Sequence, residues 1–531
     1  MVTWDYIVVG AGTTGSVVAN RLTEDGRSRV LVLEAGGSDR SIAVSMPAAG
    51  LVLALSNPRY DWGFKAEPDP TRGGREDYMP RGKVLGGTSA INGMSYVRGQ
   101  PEDYDGWAAL GCEGWDFESV LPYFKRSENN ENGADAYHGT GGPLSVSNIR
   151  SLHPLSDDYL QACVNLGIKQ VADINTPPQA GVGYVPATQR RGRRHSTGRA
   201  YLRPAMRRRN LRVLTHAHTR RVLFDGKRAA GVEYMRRERT ERAEAARAVI
   251  MCAGTYASPQ LLMLSGVGPA AHLRAFDIPV VHDLPGVGEN LHDHPGLAQT
   301  CFASVPTYNT LMGPVGALVY GAQWLLAGSG PAASPHAQVT AFLRVDGSEG
   351  RSDLQYMFTP AGYDLSADGP VLFDRPAVTG LINLLRPFSR GRVGLRSADP
   401  LTHSTIQPNL FADERDLELL LAGAKLQRKL FQTEPLAKSI AGDYRPSSEV
   451  QTDGEWRAYL RENSLSGYHP VGTCKMGCDE LAVVDHRLRV RGLENLLVAD
   501  ASIMPTIVSG NPLATCVMIG EKVAEMIRSS A

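Results

Sequence analysis

The chain has 531 residues, 42% of them hydrophobic and 21% charged, with a formal net charge of +1. That is enough for two or three domain-sized cores, and its charge balance gives no electrostatic case for a nucleic-acid partner or an anionic bilayer. Seven cysteines, at 112, 163, 252, 301, 474, 478 and 516, form no C-x-x-C pair and no Cys/His cluster, so neither a disulfide framework nor a metal site is expected.

The first strand is reached by Tyr6, with no basic and apolar leader before it, and the most apolar later segment, 316–327, is too short to span a bilayer. A cytoplasmic protein with reduced thiols is expected. The opening run Tyr6-Ile-Val-Val-Gly-Ala-Gly-Thr-Thr-Gly15 ends in G-x-G-x-x-G. A helix-like segment, 16–22, and a second apolar run ending in Glu34 follow it. Gly10, Gly12 and Gly15 suit a tight turn against a pyrophosphate, with Thr13 and Thr14 at the helix start, where N–H groups are free for an anion. Glu34, with Ala35 behind it, lies roughly twenty residues on, where a carboxylate accepts hydrogen bonds from an adenosine ribose and repels a 2′-phosphate.

Next comes Pro80-Arg-Gly-Lys-Val-Leu-Gly-Gly-Thr-Ser-Ala-Ile-Asn-Gly-Met94, a loop rich in backbone donors that can lie against a large flat ligand. The arginine-rich stretch 190–209 and the run 236–242 read as solvated loops and hairpins. Residues 247–254 form an apolar run ending in glycine before a helix-compatible 257–265, a second strand-turn-helix on the nucleotide sheet. Alternating histidines, His292 and His294, share a face if they lie on a strand, as metal ligands can. Near the end, Gly467-Tyr-His-Pro-Val-Gly-Thr-Cys474 and Ser509-Gly-Asn-Pro-Leu-Ala514 supply one imidazole and one amide, each beside a proline. Pro512 opens a helical pattern through Val517, Ile519, Val523 and Ile527. Cys474 is expected to be a packed thiol.

These strings, with 254–269, 284–294, 389–400, 469–477 and 498–502, closely resemble the glucose-methanol-choline (GMC) oxidoreductases, flavoenzymes that oxidise alcohols, and they occur in that family's order. The resemblance implies an α/β Rossmann-like FAD-binding domain over residues 1–150, 205–300 and 465–531. It also implies an α+β substrate domain, an antiparallel sheet backed by helices, over 151–204 and 301–464. His469 matches the family's catalytic base and Asn511 its second catalytic position. Arg81, Gly87, Thr88, Asn92, Gly93 and Met94 are expected near the pyrophosphate and isoalloxazine, with Asp500 and Ala501 at the pyrophosphate and ribityl chain. Pro512 is expected at the flavin-facing turn, and Val222 with its backbone on adenine. Ile91 occupies the position where some relatives attach FAD through histidine, so non-covalent FAD is expected. For His292 and His294 the resemblance of their segment, 284–294, implies structural hydrogen bonding instead of metal ligation. The substrate is expected to be a primary alcohol, a hydroxymethyl-aromatic one among the candidates, with oxygen or a quinone-like acceptor. A choline-type dehydrogenase and a hydroxynitrile lyase-like member are the alternatives. Trp324 and Tyr468 are candidates for a cation-binding cage.

Overall fold

A computed structural model describes residues 3–348, 350–366 and 369–529. Residues 1, 2, 530 and 531, the outer ends of the expected cofactor-binding division, lie outside the described residues. Two seven-stranded sheets organise the chain. The first is nucleated by strand Thr3–Val9, helix Thr13–Leu22 and strand Val30–Leu33, with Ile7 opposite Leu31 in a parallel ladder. Every residue of Val30–Leu33 is buried, as befits a central parallel strand covered on both faces. Leu211–Leu214 extends the sheet on one side and Arg239–Met251 on the other. Arg239–Met251 changes role along its length. Its first half pairs antiparallel with Arg228–Arg236, while Val249, Ile250 and Met251 pair in parallel with Leu496–Val498. Ala217–Asp225 closes that edge. Helix Leu513–Ser529 packs along Thr13–Leu22, where Thr14 Oγ1 donates to the Cys516 carbonyl at 3.0 Å.

The second sheet is antiparallel, in the order Ile440–Arg445, Pro295–Ala303, Ala377–Leu384, Leu354–Thr359, Val339–Leu343 and Gly181–Tyr184. Helix Glu414–Phe431 covers its back. Asp413 caps this helix by accepting from Arg415 N at 3.0 Å; Glu414 and Asp416 stand in its first turn and Arg428 and Lys429 in its last, a charge order that complements the helix dipole. Side chains alternate across the sheet. Leu354, Tyr356, Phe358, Ile382 and Leu384 enter the core with Leu417, Leu420 and Ala424, while Met357, Thr359, Leu381 and Asn383 line a cavity on the other face. Gln355, opposite Asn383 in the ladder, shares that cavity face.

Two parts of the sequence reading shift. The second sheet starts at Pro295, ahead of the expected boundary at 300. Ala200, Tyr201 and Leu202, expected with the substrate portion, join the first core, and the Tyr201 hydroxyl donates to Glu521 at 2.8 Å. The arginine-rich stretch is also not uniformly solvated. Arg194 is fully buried and donates to the carbonyls of Val44 and Asn92 at 3.1 and 2.6 Å, tying the glycine-rich loop to the segment before it.

Candidate active site

A cavity of about 660 Å³ opens between the sheets. On the first-sheet side it is lined by Gly12, Thr13 and Thr14, where helix Thr13–Leu22 starts without a side-chain cap. Its first-turn N–H groups therefore face the cavity side unpaired, the arrangement that binds phosphate. Close packing fixes this turn: a Cβ on Gly15 would fall 2.0 Å from the Gly10 carbonyl oxygen, and one on Gly87 would fall 2.7 Å from Gly12 Cα. Asp500, also on the wall, accepts from Gly254 N at 2.8 Å, Ser258 Oγ at 2.6 Å and Ser502 N at 2.8 Å, pinning three segments at one carboxylate.

His469 and Asn511 meet in the same cavity, with His469 Nε2 3.0 Å from Asn511 Nδ2. The rest of the network fixes the tautomer. His294 Nε2 lies 3.1 Å from the Val508 carbonyl, which can only accept, so it carries the proton and leaves Nδ1 as an acceptor. That Nδ1 lies 3.0 Å from His469 Nδ1. His469 must therefore donate from Nδ1 and keep its Nε2 lone pair toward the cavity, where Asn511 Nδ2–H meets it. Gln355 Nε2 donates to Asn511 Oδ1 at 3.2 Å and turns the amide so that its NH2 faces His469.

Burial pushes His469 well below the ordinary imidazole value, with His294 and Arg81 adding to the shift, and burial takes His294 down to about 4. Both rings are neutral near pH 7, so the site presents a free base. Tyr468, next to it, has φ 62, an outlier for a bulky residue. It is held there from both sides, by Arg81 Nη2 donating to its carbonyl at 2.6 Å and by its own N–H donating to Ser466 Oγ at 2.9 Å. Asp293 Oδ1 accepts from the backbone N–H groups of His294 and His469, both at 2.8 Å, and ties the two segments that carry the rings together. Burial raises the Asp293 carboxyl to about 6. His294→Phe removes the acceptor that fixes the tautomer; flavin reduction by substrate is expected to slow about tenfold with FAD still bound. A rate equal to wild type in stopped-flow absorbance would discard that role.

Of the residues expected at the site, Gly12, Thr13, Thr14, Arg81, Gly87, Thr88, Asn92, Gly93, Met94, His469, Asp500, Ala501, Asn511 and Pro512 line the cavity. Gly10 and Gly15 form the turn behind it. Glu34 lies behind the wall with Ala35; its carboxylate accepts from Ala11 N at 2.9 Å and Gly36 N at 2.7 Å, and burial pushes it up to about 7. Val222, expected with its backbone on adenine, is a residue of strand Ala217–Asp225 whose N–H donates to Ser265 Oγ, at the end of helix Ala257–Leu264, at 2.8 Å. Trp324 is core, its Nε1–H on the Gly192 carbonyl, while Tyr468 does line the cavity. Ile91 also lines it and carries no group able to bond a flavin. The described residues hold no cluster of three or more metal-binding side chains. His294, read as a structural hydrogen-bonding group, does hydrogen-bond, to the Val508 carbonyl and to His469; Asp293 and Gln355 were not singled out. A histidine two residues from another looks the same in sequence whether it bonds backbone or a second ring.

A turn suited to a pyrophosphate and a neutral imidazole paired with an amide share one cavity, an arrangement suited to proton transfer beside a bound dinucleotide. Family models described as GMC oxidoreductase match residues 4–296 and 387–520. The chain belongs to the GMC oxidoreductase family and is an FAD-dependent enzyme acting on CH–OH donors. It is 42% identical to the mitochondrial choline dehydrogenase of Mus musculus over 99% of this chain and 89% of that protein. It is also 42% identical to an oxygen-dependent choline dehydrogenase of Escherichia coli, over 99% of this chain and 95% of that one. The solved pyridoxine 4-oxidase from Mesorbium loti superposes with a TM-score of 0.90 at 29% identity, over 99% of both chains.

Proposed function

We propose that the protein oxidises a neutral primary alcohol, a hydroxymethyl group on an aromatic ring, to the aldehyde, with His469 as the base. The cavity wall carries the choice of substrate class. Beside His469 it presents Tyr468, Tyr363, Met357 and Leu381, and its one carboxylate among the described residues, Asp500, is engaged with Gly254, Ser258 and Ser502. A quaternary ammonium calls for an aromatic cage with a balancing anion. Among the described residues the rings are present without a free anion.

In this reading the alcohol oxygen takes the place between His469 and Asn511. Its O–H donates to Nε2, and Asn511 Nδ2–H donates to the oxygen, stabilising the negative charge that grows as the proton moves to His469. An amide does not titrate near neutrality, so the proton goes to His469 alone. Non-covalently bound FAD, held by the Gly10–Gly15 turn, Glu34, the 87–94 loop and Asp500, supplies the two-electron acceptor for the hydrogen leaving the carbinol carbon. The helix beginning at Leu513, whose first-turn N–H groups lack intrahelical partners, favours negative charge at that end of the cavity. In the same reading the expected division 1–150, 205–300 and 465–531, with residues 200–202 added and the strand from Pro295 taken out, carries the cofactor, and the protein is cytoplasmic. Among the described residues no helix is long and apolar enough to cross a membrane.

A choline-type reading is favoured by the 42% identity to choline dehydrogenases. An anaerobic absorption titration separates the two. Benzylic and furanic alcohols are expected to bleach the flavin, and choline to leave it yellow at equal concentration. Bleaching by choline alone would replace the proposal with the choline reading, and bleaching by neither would remove both. Return of colour on admitting air identifies oxygen, rather than a quinone-like carrier, as the acceptor.

A further inference from the structure

Residues 294–343 contain no Asp, Glu, Lys or Arg. Much of that stretch lies inside the second sheet, but helix Pro314–Ala327 stands on the surface. Val315, Leu318, Val319, Leu325 and Leu326 are all exposed, Leu318 by 75% and Leu326 by 90%, and among its described side chains Trp324 alone is buried. A charge-free helix with its leucines in water is costly unless something covers it. At roughly 1.5 Å per residue it is about 21 Å long, short of the roughly 30 Å needed to cross a bilayer.

Two neighbours of this helix indicate what covers it. At its C-terminal end the Gln189–Arg194 hairpin packs closely: Trp324 Nε1–H reaches the Gly192 carbonyl at 2.8 Å, and the Arg193 guanidinium stacks over the Trp324 ring at 4.5 Å. Arg190 and Arg191 are exposed in the same hairpin, and none of the three arginines forms an ion pair among the described residues. The other neighbour is the cavity mouth. Met46, Met312 and Tyr320 pack with Trp324, and the exposed Ile42, Val52 and Leu53 line the cavity together with Met312 and Ala317. The apolar patch therefore runs from the helix to the entrance of the active site, with unpaired cations at one edge.

We propose that this surface docks on an anionic lipid bilayer. Helix Pro314–Ala327 lies in the interface with its leucines and valines at the acyl boundary, Arg190, Arg191 and Arg193 meet the headgroup phosphates, and the cavity mouth opens at the membrane. An apolar face edged by basic side chains is the pattern of interfacial helices. The near-zero net charge conceals it because the attraction is local. Docking brings lipid-dissolved alcohols or acceptors to the cavity without passage through water.

The test uses the full-length flavoprotein and vesicle flotation, with no substrate. Binding is expected to vesicles of equal parts phosphatidylglycerol and phosphatidylcholine, and to weaken at least about tenfold on pure phosphatidylcholine or in molar salt. Leu318→Glu with Leu326→Glu is expected to weaken binding by a similar factor while leaving flavin absorption unchanged. Arg191→Glu tests the charged edge separately, should the double variant fold poorly. Failure of the wild type to float with anionic vesicles would overturn the proposal. So would variants that float as well as wild type, or a dimer in sedimentation that Leu326→Glu dissociates.

Discussion

His469→Ala slows reduction of the flavin by its alcohol at least about a hundredfold and leaves FAD in place. A hydrogen-bond chain running from His469 Nδ1–H to His294 and from His294 Nε2–H to the Val508 carbonyl keeps the Nε2 lone pair of His469 toward the cavity, and removing the ring takes that acceptor from the hydroxyl proton. Asn511 and the cofactor-binding turn are untouched, so the spectrum of the bound flavin is the control. Because burial holds His469 well below the ordinary imidazole value, the base form persists as pH falls. The reduction rate of the wild type is therefore expected to stay level from about pH 9 down to about pH 7 and to decline only below the usual imidazole value of about 6.5. Stopped-flow reduction across pH checks both statements. A variant that reduces at near wild-type rate would end the assignment of the base.

Gly15→Ala yields protein with little or no flavin. The added Cβ would sit 2.0 Å from the Gly10 carbonyl oxygen and 3.1 Å from Cys252 Cβ, so the turn has to open, and with it the row of N–H groups at the start of helix Thr13–Leu22. Loss of at least about 1.4 kcal/mol of binding, a tenfold rise in the FAD dissociation constant, is the expected minimum. Gly106→Ala is the matched control: it lies in helix Pro101–Ala109 with nothing within 4 Å of the new methyl group, and it is expected to keep its flavin. Fluorescence titration of apoprotein with FAD measures the difference. Equal affinity in the two variants would show that the turn does not hold the pyrophosphate.

What could be read in advance was chemistry carried by short contiguous strings. The Gly10–Gly15 turn, the uncapped helix after it, and His469 and Asn511 beside their prolines each announce themselves within a few residues, because backbone geometry and local spacing create them. What could not be read depends on partners far apart in sequence. The orientation of His469 is settled by His294, 175 residues away, and that of Asn511 by Gln355, 156 residues away. Neither neighbour differs in its local pattern from an ordinary buried polar residue. Val222 shows the same limit. A strand residue with a hydrophobic side chain gives no sign of whether its amide faces a ligand or Ser265. Arg194 is the reverse error: an arginine among arginines reads as solvated, and only the fold reveals that Val44 and Asn92 enclose it.

The alternation in the second sheet bears on how such a protein acquires new substrates. Met357 and Thr359 on one strand, and Leu381 and Asn383 on the next, line the cavity, while their immediate neighbours Tyr356, Phe358, Ile382 and Leu384 are packed under helix Glu414–Phe431. One face can be rewritten, residue by residue, without disturbing the packing that holds the sheet together or the pairing of His469 with Asn511. Natural variation and laboratory selection alike can draw on that division of labour, changing which molecule is accepted while the oxidation itself passes unaltered from one lineage to the next.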